Sequence, residues 1–245
     1  MRVPRLFHDG SLDANTIQLS TATARHAIQV LRLAVGSKLI VFNGNGHDYH
    51  ASIKSIKKSK VDINIYTNTA ICNESAFRIE LGIALIKNDR LDLTIQKATE
   101  LGVTSITPVN SEYSNITINH NKQDKKHQHW QGVIQHACEQ CGRASLPNMN
   151  PITRVEDFIS AQSKLTTLVL NPLSDTAMQS LPNEIEATKA IRLLIGPEGG
   201  FSEKERQMFE NKNIVQAKLG PRILRAETAA ISAITLLQHK YGDLN

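Results

Sequence analysis

The chain has 245 residues, 40% hydrophobic, 21% charged and 4% aromatic, and its net charge of +5 arises wholly within residues 1–71, which carry nine Lys/Arg against four Asp/Glu. This composition excludes collagen-like and disordered classes, and no apolar run reaches the ~18 residues that a membrane-spanning helix needs. Three cysteines (Cys72, Cys138, Cys141) cannot build a disulfide framework; with no apolar stretch of signal-peptide length in the first ten residues, a reducing cytoplasm is the expected location.

Residues 1–71 read as a small, mostly β module. A helix is expected over 21–33, with Ala24, Ala27, Ile28 and Leu31 on one face. Residues 38–43 form a short apolar run that ends at Asn43-Gly44-Asn45-Gly46, a hairpin turn signal. Alternation over 47–56 and 60–66 predicts two more strands. The basic surplus here, with few aromatics, fits contact with a polyanion through its phosphates, or a face kept charged for solubility. Residues 68–76 are polar and aperiodic, which sets the boundary between residues 1–71 and 75–245.

Strands and helices alternate beyond it. Strands are expected at 77–86, 103–109, 165–170, 190–195 and 214–218. Helices are expected at 91–101, 125–140, 154–162, 202–211 and 226–240, with Asp89 capping the first and Gly102 ending it. Residues 111–124 read as a polar loop. This α/β alternation predicts a parallel sheet covered on both faces.

Ligands of open α/β sheets sit beyond the carboxyl ends of the strands, and two such ends are unusual here. Leu193-Leu-Ile-Gly196-Pro-Glu-Gly-Gly-Phe201 leads into Ser202-Glu-Lys-Glu205, a capping box. Leu219-Gly220-Pro-Arg-Ile-Leu-Arg225 leads into Ala226-Glu-Thr-Ala-Ala230. Neither is a phosphate cradle, since both lack the Gly-Lys-Ser/Thr and Gly-x-Gly-x-x-Gly patterns. Together they suggest a nucleoside-sized pocket.

Both loops, in this order, resemble the RsmE family, the uridine-N3 methyltransferases of 16S ribosomal RNA in the SPOUT superfamily. Lys87, Asp89-Arg-Leu-Asp92, Gln96-Lys-Ala-Thr-Glu-Leu-Gly-Val103, Glu139-Gln140, Arg143 and Pro147 fall in the family's order. Arg2-Val-Pro-Arg-Leu-Phe7, His26 and Val30-Leu-Arg32 resemble its PUA-like RNA-binding domain. The resemblance implies a PUA-like β-barrel over 1–71 and a SPOUT-type α/β domain with a deep trefoil knot over 75–245. It further implies S-adenosylmethionine as cofactor, a homodimer, no metal, and one uridine of small-subunit rRNA (uridine 1498) as target. A related enzyme acting on tRNA and a non-catalytic RNA-binding protein are the alternatives. Where the family usually has Glu-Arg-Ser after the third strand, this chain has Glu112-Tyr113-Ser114, so Tyr113 is left outside the site.

The resemblance assigns cofactor binding to Leu170, Pro172, Ile195, Gly196, Glu198, Gly199, Gly200, Leu219, Gly220, Ile223, Leu224, Arg225 and Glu227. Methyl transfer to a uracil nitrogen needs the base oriented and its N3 proton removed. Arg143, Glu139 and Arg225 are the expected catalytic residues, and Arg2, Arg5, Arg25 and Arg32 the expected RNA contacts. His136, Cys138 and Cys141 offer three zinc donors with no fourth in register, so no metal is expected.

Overall fold

The computed structural model describes residues 3–58, 60–114, 116, 120–161, 165–181, 184–212 and 214–244, and they form two compact units. The first comprises Met1–Glu74 with Gln135–Leu146, and the second comprises Ser75–Ile134 with Pro147–Asn245.

The first unit is a five-stranded sheet of β1 (Arg5–Phe7), β2 (Thr16–Gln18), β3 (Lys38–Phe42), β4 (His47–Lys57) and β5 (Lys60–Ala70), in the order β1-β3-β4-β5-β2. β3 and β4 form the expected hairpin, whose turn holds Gly44 and Gly46 at φ 91° and 85°, angles that glycine adopts without a Cβ clash. The three-residue strands β1 and β2 carry no readable period and were not foreseen. The helix expected over 21–33 divides: α1 (Thr21–Arg25), capped by Ser20, is followed by a π-turn over His26–Val30. Leu6, Leu39, Val41, Ala51, Ile53, Val61 and Ile63 fill the core beneath α1.

Arg5 organises this unit. Its guanidinium bonds both carboxylate oxygens of Asp48 at 3.0 and 2.6 Å and lies 4.3 Å above the Phe42 ring. It also donates to the carbonyls of Cys138 at 2.6 Å and Arg143 at 3.2 Å. Cys138 lies in the last turn of a helix, and its carbonyl also accepts from the Gly142 N–H at 3.0 Å. The Phe7 N–H is taken by Glu139 Oε1 at 2.9 Å. These bonds are why residues 135–146 pack with the first unit, where the sequence reading assigned them to the second.

The second unit is a wholly parallel sheet. Its elements in chain order are β6 (Arg78–Ala84), α2 (Asn88–Glu100), β7 (Ser105–Asn110), α3 (His120–Cys141), β8 (Asn148–Met149), β9 (Thr153–Arg154), α4 (Val155–Ser160), β10 (Thr167–Leu170), α5 (Glu184–Thr188), β11 (Ala190–Ile195), α6 (Glu203–Asn211), β12 (Val215–Ala217) and α7 (Ala226–Tyr241). The strand order is β12-β10-β11-β6-β7-β8, with β9 also on β7. Every residue of β11 is buried, as a central parallel strand covered on both faces requires.

Local chemistry explains the main departures from expectation. α2 begins at Asn88 with Lys87 at its N-cap, so Asp89 is not the cap; it sits in the first turn, where a carboxylate complements the helix dipole. Gly102, at φ 83°, does end α2. α3 starts at His120, inside the expected polar loop; residues 115 and 117–119 of that loop, and position 162 of the helix expected over 154–162, lie outside the described residues. Gly82 in β6 makes room for a neighbour, since a Cβ there would stand 2.6 Å from the Phe158 ring.

Asp48→Ala should strand the Arg5 guanidinium inside the first unit. Removing one partner of a buried pair costs about 3–5 kcal/mol, so urea unfolding should shift to lower denaturant by roughly that free energy. A shift under ~1 kcal/mol contradicts the role given to Arg5.

Candidate functional site

In the second unit the neighbouring strands β12, β10 and β11 end side by side, and the loops after them enclose a cavity of ≈ 290 Å³. This is close to the lower limit for small-molecule pockets. Each loop is fixed by a different device.

The loop after β10 is stitched to β12. The Asn171 N–H donates to the Ala217 carbonyl at 3.0 Å, and its side-chain amide donates to Gln216 Oε1 at 2.9 Å. Asn171 Oδ1 accepts from the Leu173 N–H at 3.0 Å. The loop after β11 makes a tight turn, the Gly200 N–H donating to the Pro197 carbonyl at 2.9 Å with Gly200 at φ 72°. Gly196 is bare because Phe201 packs against it; a Cβ there would meet the ring at 2.9 Å. Phe201 in turn stands edge-on to Phe209 with centroids 5.0 Å apart.

The turn leads into α6 through the expected capping box, and the box does more than cap. Glu205 is buried. Its Oε2 accepts from the Ser202 N–H at 2.8 Å and from the Ser111 hydroxyl at 3.2 Å, and its Oε1 accepts from the Glu112 N–H at 3.1 Å. One carboxylate thus joins the glycine loop to the segment after β7.

The third loop, Lys218–Leu224, turns at Gly220, φ 70°. A Cβ on Gly200 or on Gly220 would meet nothing within 4 Å. Both glycines therefore leave open space along the cavity wall, into which backbone groups can meet a ligand closely.

The structure gathers Leu170, Pro172, Ile195, Gly196, Glu198, Gly199, Gly200, Leu219, Gly220, Ile223 and Leu224 around this cavity. Arg225 and Glu227 do not line it. Arg225 is exposed at the N-cap of α7, and Glu227 is buried in that helix's first turn. The cation beside Glu227 is Arg90 of α2, at 3.8 Å, and Arg90 also pairs with Glu198 at 2.8 Å. Arg90 therefore ties α2 to the glycine loop and to α7.

Sequence reasoning missed several lining residues, among them Asn171, Phe201, Arg206, Phe209, Ala217 and Lys218. Asn171-Pro172 directly after an apolar strand was the available signal for the first of them. The described lining residues include no Ser, Thr, Tyr, Cys or His. The lining instead combines glycines and apolar side chains with the charged Glu198, Arg206, Lys218 and Arg222.

The remaining expected site residues lie in the first unit. Arg143 is buried and holds Glu74 at 3.0 and 2.6 Å. Glu139 is engaged with the Phe7 N–H. Arg5, another expected RNA contact, has its side chain buried in its network with Asp48, Phe42 and two carbonyls. Arg25 and Arg32 are exposed, and Arg2 lies outside the described residues. Arg32 takes a left-handed φ of 54° directly after the π-turn, a strained conformation for a residue with a Cβ.

His136, Cys138 and Cys141 form no metal centre: among the described residues no group of three or more His, Cys, Asp or Glu could hold an ion. A hydrogen bond with Cys141 and burial push the Cys138 thiol above the usual thiol range.

A family model described as an RNA methyltransferase domain matches residues 73–238, and one described as an RNA methyltransferase PUA domain matches residues 19–66. The chain is 37% identical over 246 residues to the ribosomal RNA small subunit methyltransferase E of Buchnera aphidicola subsp. Schizaphis graminum, covering 100% of this chain and 99% of that protein. Among solved structures, a methyltransferase of Legionella pneumophila in complex with its cofactor SAM superposes with a TM-score of 0.95 at 34% identity, and covers 100% of both chains. A ribosomal RNA small subunit methyltransferase E of Neisseria gonorrhoeae, bound to S-adenosyl methionine, superposes with a TM-score of 0.90 at 30% identity over 100% of both.

Glu205→Ala should leave two N–H groups and the Ser111 hydroxyl without their acceptor. Orphaned buried donors cost about 1–3 kcal/mol each, partly relieved by water, so chemical denaturation should report a loss of roughly 2–4 kcal/mol. Glu205→Gln, which keeps an acceptor oxygen, should lose less.

Proposed function

The chain belongs to the RsmE family of ribosomal RNA small subunit methyltransferases, and on that premise we propose that it methylates N3 of one uridine in 16S rRNA, using S-adenosylmethionine. The observation that carries this reading is the glycine-loop cavity at the carboxyl ends of β12, β10 and β11, in a chain that matches two cofactor-bound structures over its whole length.

The cavity fits that cofactor on its own chemistry. Leu170, Ile195, Leu219 and Leu224 supply apolar walls, and the open space at Gly200 and Gly220 admits an adenosine edge close to the backbone. Glu198, fixed by Arg90, offers a carboxylate to hydroxyl or ammonium groups, and Arg206 and Lys218 offer cations to a carboxylate. When bound, S-adenosylmethionine supplies a methyl group activated by its sulfonium. The protein's part is to exclude water, fix the pocket and hold the base in line.

The catalytic assignments narrow on the same grounds. Arg225, exposed at the start of α7 next to the third loop, is the arginine we assign to the substrate. Its guanidinium can meet a phosphate or the uracil oxygen that gains charge as N3 loses its proton. Arg143 and Glu139 instead hold the first unit together, through Glu74 and the Phe7 N–H. The exposed Arg25 and Arg32, with the surplus charge of the first unit, are assigned to RNA phosphates. The finer parts of this reading rest on the family resemblance: homodimeric assembly, a trefoil-knotted path in the second unit, closure of the first sheet into a PUA-like barrel, and work in the cytoplasm.

Tritiated-methyl transfer to small ribosomal subunits, compared with naked 16S rRNA and tRNA, tests the reaction. Incorporation at uridine N3 of 16S rRNA is expected, and transfer to tRNA alone would replace this reading with the related enzyme. Arg225→Ala should lower kcat/KM about a hundredfold, the ~2.7–4 kcal/mol typical of a lost contact to developing charge, with cofactor affinity by isothermal titration nearly unchanged. Neutralising Arg25 and Arg32 together should flatten the log–log dependence of RNA affinity on salt by about 2, one unit per phosphate contact.

A further inference from the structure

The segment after β7 ends in an aromatic side chain that the cofactor reading leaves unused. Tyr113 is 49% exposed, and its ring lies alongside the glycine loop. A Cβ on Gly199 would stand 3.3 Å from Tyr113 Cβ and 3.8 Å from ring atoms Cγ and Cδ2. A side chain at 199 would press on Tyr113, which lies this near the cavity wall.

The backbone beneath Tyr113 is held on both sides. Ser111 and Glu112 are bonded to the buried Glu205, and Ser114 closes a turn on Ser111 by two bonds of 3.0 Å, one through its N–H and one through its hydroxyl oxygen. An exposed ring on a pinned backbone loses little freedom when it meets a partner.

Other residues of the cavity have a matching character. Leu173 and Ile223, both lining residues, are 75% and 85% exposed, the lining residue Arg222 on the third loop is exposed too, and so is Arg225, which follows that loop outside the lining. Apolar and aromatic surface beside free guanidinium groups is the chemistry that takes an unstacked nucleobase with its phosphates. A base methylated at N3 must leave its pairing and stacking to present that atom. Once extruded, it needs a flat surface to replace its lost neighbours.

Resting on the uridine methyltransferase reading, we infer that Tyr113 is a stacking platform for the extruded target base, beside the methyl-donor cavity. The ring acts through its face and not its hydroxyl. Stacking is made equally in the ground state and the transition state, so it sets substrate affinity and leaves the chemical step alone.

Methyl transfer to small ribosomal subunits with wild type, Tyr113→Phe and Tyr113→Ala separates the possibilities. Tyr113→Ala should raise KM for the subunit at least tenfold, the lower range for one aromatic–base stack, while kcat and S-adenosylmethionine affinity stay within about threefold. Tyr113→Phe should restore the wild-type KM. An unchanged KM in Tyr113→Ala overturns the platform. So does a collapse of cofactor affinity, which would make the ring part of the glycine loop's fold.

If the wild-type protein binds S-adenosylmethionine yet methylates no subunit, the uridine reading fails on its own. The platform is then judged by titrating a short single-stranded uridine-rich RNA into the cofactor-loaded protein. Tyr113→Ala must weaken that binding tenfold; equal affinities overturn the inference.

Discussion

The cleft depends on one buried carboxylate. Glu205 faces donors from two segments far apart in sequence, the Ser111–Glu112 backbone and hydroxyl on one side and the Ser202 N–H on the other. A carboxylate away from water is tolerated when donors saturate it, and here the saturating groups are the ones whose positions matter. The capping box sets where α6 begins, hence where the glycine loop must end. The two further bonds set where Tyr113 stands against that loop. A common helix-start device has become the joint between the β7 and β11 ends of the sheet.

Arginines do comparable work elsewhere, and their roles follow burial more than sequence neighbourhood. Arg5 lies in a basic N-terminal stretch, as an RNA contact would, yet its side chain is buried against Asp48, Phe42 and two carbonyls. Arg143 is likewise buried on Glu74. Arg90 joins the glycine loop and α7 through Glu198 and Glu227. The guanidinium fork suits these places because it can serve several acceptors in one plane. Arg25, Arg32, Arg222 and Arg225 are among the exposed arginines.

Much of this architecture was legible in the sequence, for physical reasons. Asn43-Gly-Asn-Gly46 forces a hairpin, and buried parallel strands such as Ala190–Ile195 must be continuously apolar. Glycines between a strand and a helix announce a close approach, and the cavity formed at those loops. What stayed hidden was decided by partners far along the chain. Residues 135–146 join the first unit because Arg5 and Phe7 find their acceptors there, more than 130 positions away, and no local period encodes that. Strands β1 and β2 are too short to show alternation. Asn171 carries its own loop through side-chain bonds to β12, a role that composition alone does not mark. Tyr113 likewise became legible only when Gly199 was found beside it.

Most of the surplus positive charge lies in the first unit and the cavity in the second. The central claim is that the three loops after β10, β11 and β12 form the S-adenosylmethionine site. A crystal structure of the protein grown with S-adenosylmethionine tests it most directly. The account predicts density for the whole cofactor between residues 170–173, 195–201 and 218–224, with the adenine against Ile195, Leu219 and Leu224. Cofactor density elsewhere on the chain, with those loops free of ligand, would contradict it.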